Sequence, residues 1–142
     1  MSEFVLDAAV TMGWCFAAHA DPYCRRVLEA LNEDRAIAPE IWLHEVTNVL
    51  LVSERRRRLT LGQSDEFLSR LRQFPIEVES VAGKTPWPGE VFRVARAHDL
   101  TTYDAAYLEL AQRRKLPLAT LDTALRSAAH RIGVSLFLDP TD

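Results

Sequence analysis

Short apolar runs alternate with segments of helical periodicity along the whole chain. The first run, Phe4-Val5-Leu6 ending at Asp7, reads as a buried strand. A helix is expected from about Asp21, with Pro22 in its first turn and Val27, Leu28 and Leu31 on one face. Ala36-Ile37-Ala38-Pro39 reads as a second short strand. Residues 40–57 carry a long helical pattern that puts Ile41, Glu45, Asn48 and Val52 on adjacent turns of one face. Residues 60–63 read as a break, and 64–73 as a helix with Phe67, Leu68 and Leu71 inward. Residues 75–79 alternate like an edge strand, where a proline is tolerated. Residues 82–89 hold two prolines and two glycines and form the clearest loop. Helices over 90–98 and 102–114, a strand over 116–121, a helix over 123–132 and a strand over 134–137 complete the pattern.

Strands that alternate with helices imply an α/β fold: a mainly parallel sheet of about five short strands, covered by helices on both faces. In such sheets, sites form outside the carboxyl ends of the strands. Asp7 and Asp122 each end a strand. Asp104 opens a helix, and helix starts lie at the same edge. Glu45 sits inside a helix among Trp42, Val46 and Val49. A carboxylate beside apolar residues is costly unless a cation meets it, and a hard divalent cation is suited to oxygen ligands. Helix capping is the plainer explanation for Asp122 and Asp104 taken singly, because Asp is a favoured N-cap and Thr101 to Asp104 has the form of a capping box. Four acids placed for one crevice are harder to explain by capping.

A chain of 142 residues is most simply one domain, residues 1–142, with no internal repeat. The net charge of −3 argues against nonspecific coating of nucleic acid, yet leaves room for an enzyme that gathers acids at its centre and bases at its rim. No apolar stretch nears a membrane span, and the start of the chain lacks a secretory pattern. With two cysteines and no export signal, a reducing cytoplasmic setting is expected.

Four segments together resemble the PIN domain, and more narrowly the VapC-type toxins of bacterial toxin–antitoxin pairs. They are Phe4-Val5-Leu6-Asp7-Ala8-Ala9-Val10, Glu45-Val46-Thr47-Asn48-Val49-Leu50, the stretch over 100–111 centred on Thr102-Tyr103-Asp104-Ala105-Ala106-Tyr107, and Leu116-Pro117-Leu118-Ala119-Thr120-Leu121-Asp122. The resemblance spans essentially the whole chain, and the Asp104 segment is its most specific part. It implies a three-layer PIN-like fold and an acidic quartet of Asp7, Glu45, Asp104 and Asp122. It also implies a Mg²⁺- or Mn²⁺-dependent ribonuclease, an RNA substrate, a cognate antitoxin and a homodimer. Residues 84–89 depart from the helical sequence the family would have there.

The chemistry of the residues agrees with that expectation. Clustered carboxylates repel one another, and divalent cations relieve the repulsion. Asp7, Asp104 and Asp122 are the expected ligands; Glu45 is either a ligand or the group that orients the attacking water. Asn48 and Thr120 are candidates for a supporting shell. No pair of His or Cys has zinc-site spacing, and none of the four histidines is given a catalytic role. Arg55-Arg56-Arg57-Arg58 and Arg113-Arg114-Lys115 are read as cations at helix ends, complementing the dipole. Tyr103, Trp14 and Trp42 could stack on bases, but packing is the favoured role for each. Trp14, Phe16 and Trp42 are the candidate lining of an apolar groove for an antitoxin segment. The alternatives are a receiver-like or phosphatase-like phosphoryl-transfer domain and a catalytically silent binding module. The first is disfavoured because Ala8-Ala9, and not a second acid, follows Asp7.

Overall fold

A computed structural model describes residues 1–16, 21–80, 86 and 88–139. In chain order these form β1 (Glu3–Leu6), α1 (Ala8–Cys15), α2 (Pro22–Ala30), β2 (Arg35–Pro39), α3 (Ile41–Arg55), α4 (Leu61–Leu71), β3 (Ile76–Glu79), α5 (Gly89–His98), α6 (Thr102–Arg114), β4 (Leu118–Ala119) and α7 (Thr123–Ile132). The four strands make one parallel sheet in the order β3-β2-β1-β4. Val5 pairs with Ile37 on one side and with Leu118 on the other, so β1 is central, and Phe4, Val5 and Leu6 are all buried. Such a strand is the expected product of an uninterrupted Phe-Val-Leu run. β3 lies at the edge, directly after Pro75, which is tolerated there.

The fifth expected strand, over 134–137, is reduced to a single parallel bridge between Leu136 and Leu118. Leu138 adopts a left-handed backbone, φ 49°, which turns the chain away from the sheet. Phe137 remains anchored by stacking on Phe4, with ring centroids 3.9 Å apart. β4 is also shorter than the expected 116–121. Pro117 has no N–H to donate, and the Thr120 hydroxyl takes the Asp122 N–H at 3.1 Å, which starts a turn.

Three helices need comment. α1 was not apparent in the apolar pattern, because Ala8, Val10 and Met12 are buried and little polar surface marks its outer side. Gly13 lets α1 pack tightly on α2: a Cβ there would stand 2.7 Å from Cys24 Sγ. α4 begins inside the expected break. Thr60 and Gln63 form a capping box, the Thr60 hydroxyl accepting from Gln63 N–H while the Gln63 side chain accepts from Thr60 N–H. α6 spans the expected 102–114, capped by the Thr101 hydroxyl on Asp104 N–H at 3.0 Å.

Trp14 and Trp42 are structural. Trp42 is 5% exposed, and its indole N–H donates to the Thr11 hydroxyl at 2.9 Å. Trp14 donates to the Cys24 carbonyl at 2.7 Å and meets Phe74 edge-on. Trp42 is therefore a core residue, and its edge lines an apolar cavity of about 330 Å³ with Leu43, Val46, Leu68, Leu71 and Ile76. The arginine run straddles the end of α3. Arg56 is its C-cap, Arg57 is left-handed, and the Arg58 N–H reaches the Ser53 carbonyl at 2.8 Å. Arg113 and Arg114 both pair with Glu79 of β3, which fixes the end of α6 to the edge strand. Most of the expected loop over 82–89 lies outside the described residues, and its last residue, Gly89, opens α5. No helix among the described residues is long and apolar enough to cross a membrane.

Candidate active site at the carboxyl edge of the sheet

Parallel strands bring their carboxyl ends to one edge, and the chain leaves β1 at Asp7 and β4 at Thr120. Asp7 caps α1, with one carboxylate oxygen accepting from Val10 N–H at 2.9 Å. Asp122 caps α7, with one oxygen accepting from Leu125 N–H at 2.8 Å. Capping is thus real at both acids. It uses one oxygen of each carboxylate, and a carboxylate has further lone pairs to offer. Asp104 lies in the first turn of α6. The amino ends of α1, α6 and α7 carry these three acids, and the helix dipoles favour negative charge there.

The acids feel one another. Asp7 is 5% exposed. Burial pushes its pKa up to about 6, and the charges of Glu45 and Asp122 push the same way. The Thr120 hydroxyl and Val10 N–H, both hydrogen-bonded to the Asp7 carboxylate, pull it back down. Asp104 is also raised, first by burial and then by repulsion from Asp122. The structure therefore brings Asp7 near Glu45 and Asp122, and Asp104 near Asp122. Among the described residues, no lysine or arginine forms an ion pair with any of the four.

Thr120 ties two of these acids together. Its fully buried hydroxyl donates to the Asp7 carboxylate and accepts the Asp122 N–H. Its carbonyl accepts from Arg126 Nε at 2.7 Å, and the Arg126 guanidinium lies over the Tyr23 ring. Tyr23 in turn donates to the Phe137 carbonyl at 2.6 Å. Behind Asp7, its carbonyl accepts from the Thr11 hydroxyl at 2.8 Å, which itself accepts from Trp42. Asn48 is exposed one turn beyond Glu45, on the same face of α3.

Tyr107 belongs to this site and its role was not evident from the sequence. Its hydroxyl donates to Glu45 Oε1 at 2.5 Å and accepts the Ala8 N–H. Burial, and then the bond to Glu45, hold the phenol far above its usual range, so it stays protonated and remains a donor. The only hint in sequence is its position one helical turn after Asp104, on the buried side of α6.

Among the described residues, no three His, Cys, Asp or Glu side chains make a ready metal cage. The donor set is all hard oxygen and unpaired with cations, and burial, with repulsion from neighbouring carboxylates behind it, raises Asp7 and Asp104. These properties fit an open site that holds Mg²⁺ or Mn²⁺ through one or two carboxylates, with water and substrate oxygens completing the shell, as Mg²⁺ sites commonly do. They do not fit an enclosed Ca²⁺ or Zn²⁺ cage.

Next to the acids, α3 and α4 enclose a cleft of about 630 Å³, with Glu45 on its wall and Tyr103 at its mouth.

Comparison with known proteins gives a consistent fold. No curated protein matches the chain. The crystal structure of PAE2754 from Pyrobaculum aerophilum is similar at TM-score 0.69 and 22% identity, covering 89% of this chain and 84% of that one. VapBC2 from Rickettsia felis, solved bound to a DNA fragment from its promoter, is similar at TM-score 0.64 and 12% identity, covering 95% and 97%. Both likenesses are likenesses of fold. The PIN domain family model matches residues 4–131, which include all four acids, and the chain belongs to the PIN domain family.

Proposed function

We propose that this chain, as one PIN domain over residues 1–142, is a metal-dependent endoribonuclease and the toxin of a toxin–antitoxin pair. PIN domains are generally nucleases. The observation that carries the reading is the cluster of Asp7, Glu45, Asp104 and Asp122 at the carboxyl edge, where no described cation pairs with them. Asp7 is buried and Glu45 and Asp104 are half-buried with no cation beside them, which is unfavourable for a protein with no use for them.

In this reading Asp7, Asp104 and Asp122 hold Mg²⁺ or Mn²⁺, and Glu45 either joins them or orients the attacking water. When bound, the cation supplies a water of lowered pKa and offsets charge that builds on the phosphate. The protein's own residues do the positioning. Tyr107 fixes one oxygen of Glu45 and leaves the other to accept a proton or a water. Thr120 keeps Asp7 and Asp122 in register through one hydroxyl. Asn48 extends the polar rim from Glu45 along α3. The four carboxylates repel an RNA phosphate in the absence of metal, so substrate and cation are expected to bind together.

The partners proposed with this activity are RNA, a cognate antitoxin and a second copy of the chain, in the cytoplasm. An antitoxin arginine could bridge two of the acids with its planar fork and hold the site closed. The deciding experiment is incubation of the purified chain with single-stranded RNA and Mn²⁺ or Mg²⁺, with EDTA and Asp104→Asn as controls. Cleavage that needs both the metal and Asp104 supports the reading. Cleavage that survives EDTA or the substitution, or no cleavage of any cellular RNA, refutes it.

A further inference from the structure

The cleft between α3 and α4 has features that the acidic cluster leaves unused. It is about 630 Å³, within the range of small-molecule sites. Ile41, Leu51 and Leu68 give it apolar walls. At its mouth stands Tyr103, 59% exposed although it lies in the first turn of a well-packed helix. In its lining is Ser64, 2% exposed, whose hydroxyl oxygen is buried and has no hydrogen-bond partner. Buried hydroxyls are almost always satisfied, so the unmet Ser64 hydroxyl beneath the cleft lining is an unused polar group beside it. Glu54 and Asp65 line the same cleft, and no described cation forms an ion pair with either. Glu45 belongs to both the cleft and the acidic cluster, so the two are continuous.

We propose that this cleft binds the base of a nucleotide adjoining the scissile phosphate, and that it selects guanine. The proposal rests on the ribonuclease reading and names the part of the substrate that the reading leaves open. A phosphodiester brought to the acids necessarily carries a neighbouring nucleoside into the next available space. Apolar walls and an exposed phenol ring suit a flat heterocycle, as aromatic platforms do for unstacked bases of single-stranded RNA. The carboxylates repel phosphate, so the base enters and the backbone stays outside. Carboxylates also repel carbonyl oxygens and accept only N–H groups, which disfavours uracil. Guanine presents N1–H and N2–H₂ side by side, matching the two oxygens of one carboxylate. Cytosine and adenine offer one amino group each and are expected to bind less well.

Two measurements test this, one of them independent of cleavage. In EDTA, guanosine, which carries no phosphate for the carboxylates to repel, is titrated into the ¹⁵N-labelled protein, with uridine as the control. The expected result is tighter binding of guanosine, with shifts centred on α3, α4 and Tyr103. Tyr103→Ala should weaken that binding by roughly ten-fold, the usual effect of removing a stacking ring. Tyr103 is exposed, so the variant is expected to fold. Asp65→Asn should reduce the preference for guanine. In the second measurement, ends of randomised single-stranded RNA cut with Mn²⁺ are sequenced. Guanine should be enriched at one position beside the cut, and Tyr103→Ala or Asp65→Asn should lose the enrichment. Equal binding of both nucleosides, or a preference untouched by the variants, overturns the proposal. A cleft that binds an amphipathic basic peptide and neither nucleoside overturns it too, and would be a protein-docking surface. If guanine binds as expected and no RNA is cut, the nuclease reading fails while the pocket stands.

Discussion

The Tyr107 hydroxyl donates to Glu45 Oε1 at 2.5 Å, across 62 residues of sequence. Removing that hydroxyl leaves Glu45 without its fixed donor and the Ala8 N–H without an acceptor. Tyr107→Phe is therefore expected to lower stability by about 1.5–3 kcal/mol, the usual cost for a hydrogen bond to a charged group. The lower end is favoured, because partly exposed Glu45 can be rehydrated. Urea unfolding measures the loss. RNA cleavage by the same variant should fall through kcat more than through KM, since the freed carboxylate is mispositioned and the RNA contacts are intact. A variant as stable and as active as wild type would show the contact to be idle.

Asp7→Asn should make the metal-free protein more stable near neutral pH. The folded-state pKa of Asp7 is raised from 3.8 to about 6. Between those values the folded chain holds its proton more tightly than the unfolded one. Wild-type stability therefore falls as pH rises through that window and stays low above it. Two pH units correspond to about 3 kcal/mol at the upper limit. Asn keeps the cap on α1 and does not titrate. Chemical denaturation in EDTA at about pH 4 and about pH 7 should show the variant's advantage growing with pH. An advantage that is flat or reversed would mean that Asp7 is not destabilised by burial.

Divalent metal should reverse that ranking. A cation that binds only the folded chain stabilises it by RT ln(1 + [L]/Kd), about 2.7 kcal/mol at a hundred-fold excess over Kd. Mn²⁺ should therefore raise the melting temperature of wild type, and raise it much less for Asp7→Asn or Asp122→Asn. Thermal melts with and without Mn²⁺ and EDTA decide the matter. Equal shifts in all three proteins would place the metal elsewhere.

Inhibition by the antitoxin should depend on metal. If an antitoxin arginine enters the acidic cluster, it competes with Mg²⁺ or Mn²⁺ for one negative potential, and the two exclude each other. The inhibition constant should then rise with metal concentration. An antitoxin carrying Ala at that position should lose the dependence while still binding. A constant that ignores metal would mean the antitoxin blocks RNA from outside the cluster.

How much of this was legible in sequence follows from the type of signal each residue leaves. Asp7 and Asp122 could be placed because each ends an apolar strand, and a parallel sheet sends such ends to one edge. α6 was bounded correctly because Thr101 is an N-cap that local chemistry reveals. α1 was hidden because Ala8, Val10 and Met12 are buried in it and no polar stripe betrays its period. The start of α4 was misread because Thr60 and Gln63 look like turn residues and act as a capping box. Trp42 packs in the core, as its apolar neighbours suggest, but the hydrogen bond to Thr11 that holds it there leaves no trace in the sequence. Tyr107 and Ser64 could not have been singled out. What distinguishes them is a partner 62 residues away for one and the lack of any partner for the other.

The pairing of β1 with β4 has a consequence for how the molecule is made. Val5 and Leu6 lie beside Leu118 and Ala119, so the central strand waits for nearly the whole chain before one flank is closed. Contacts so distant in sequence form late, after the cost of closing a long loop has been met. A ribosome extrudes Asp7 and Glu45 long before Asp104 and Asp122. The nascent chain thus carries half an acidic cluster with nothing to complete it. The four acids can come together only after the segment that carries Asp104 and Asp122 has been made and has folded against β1.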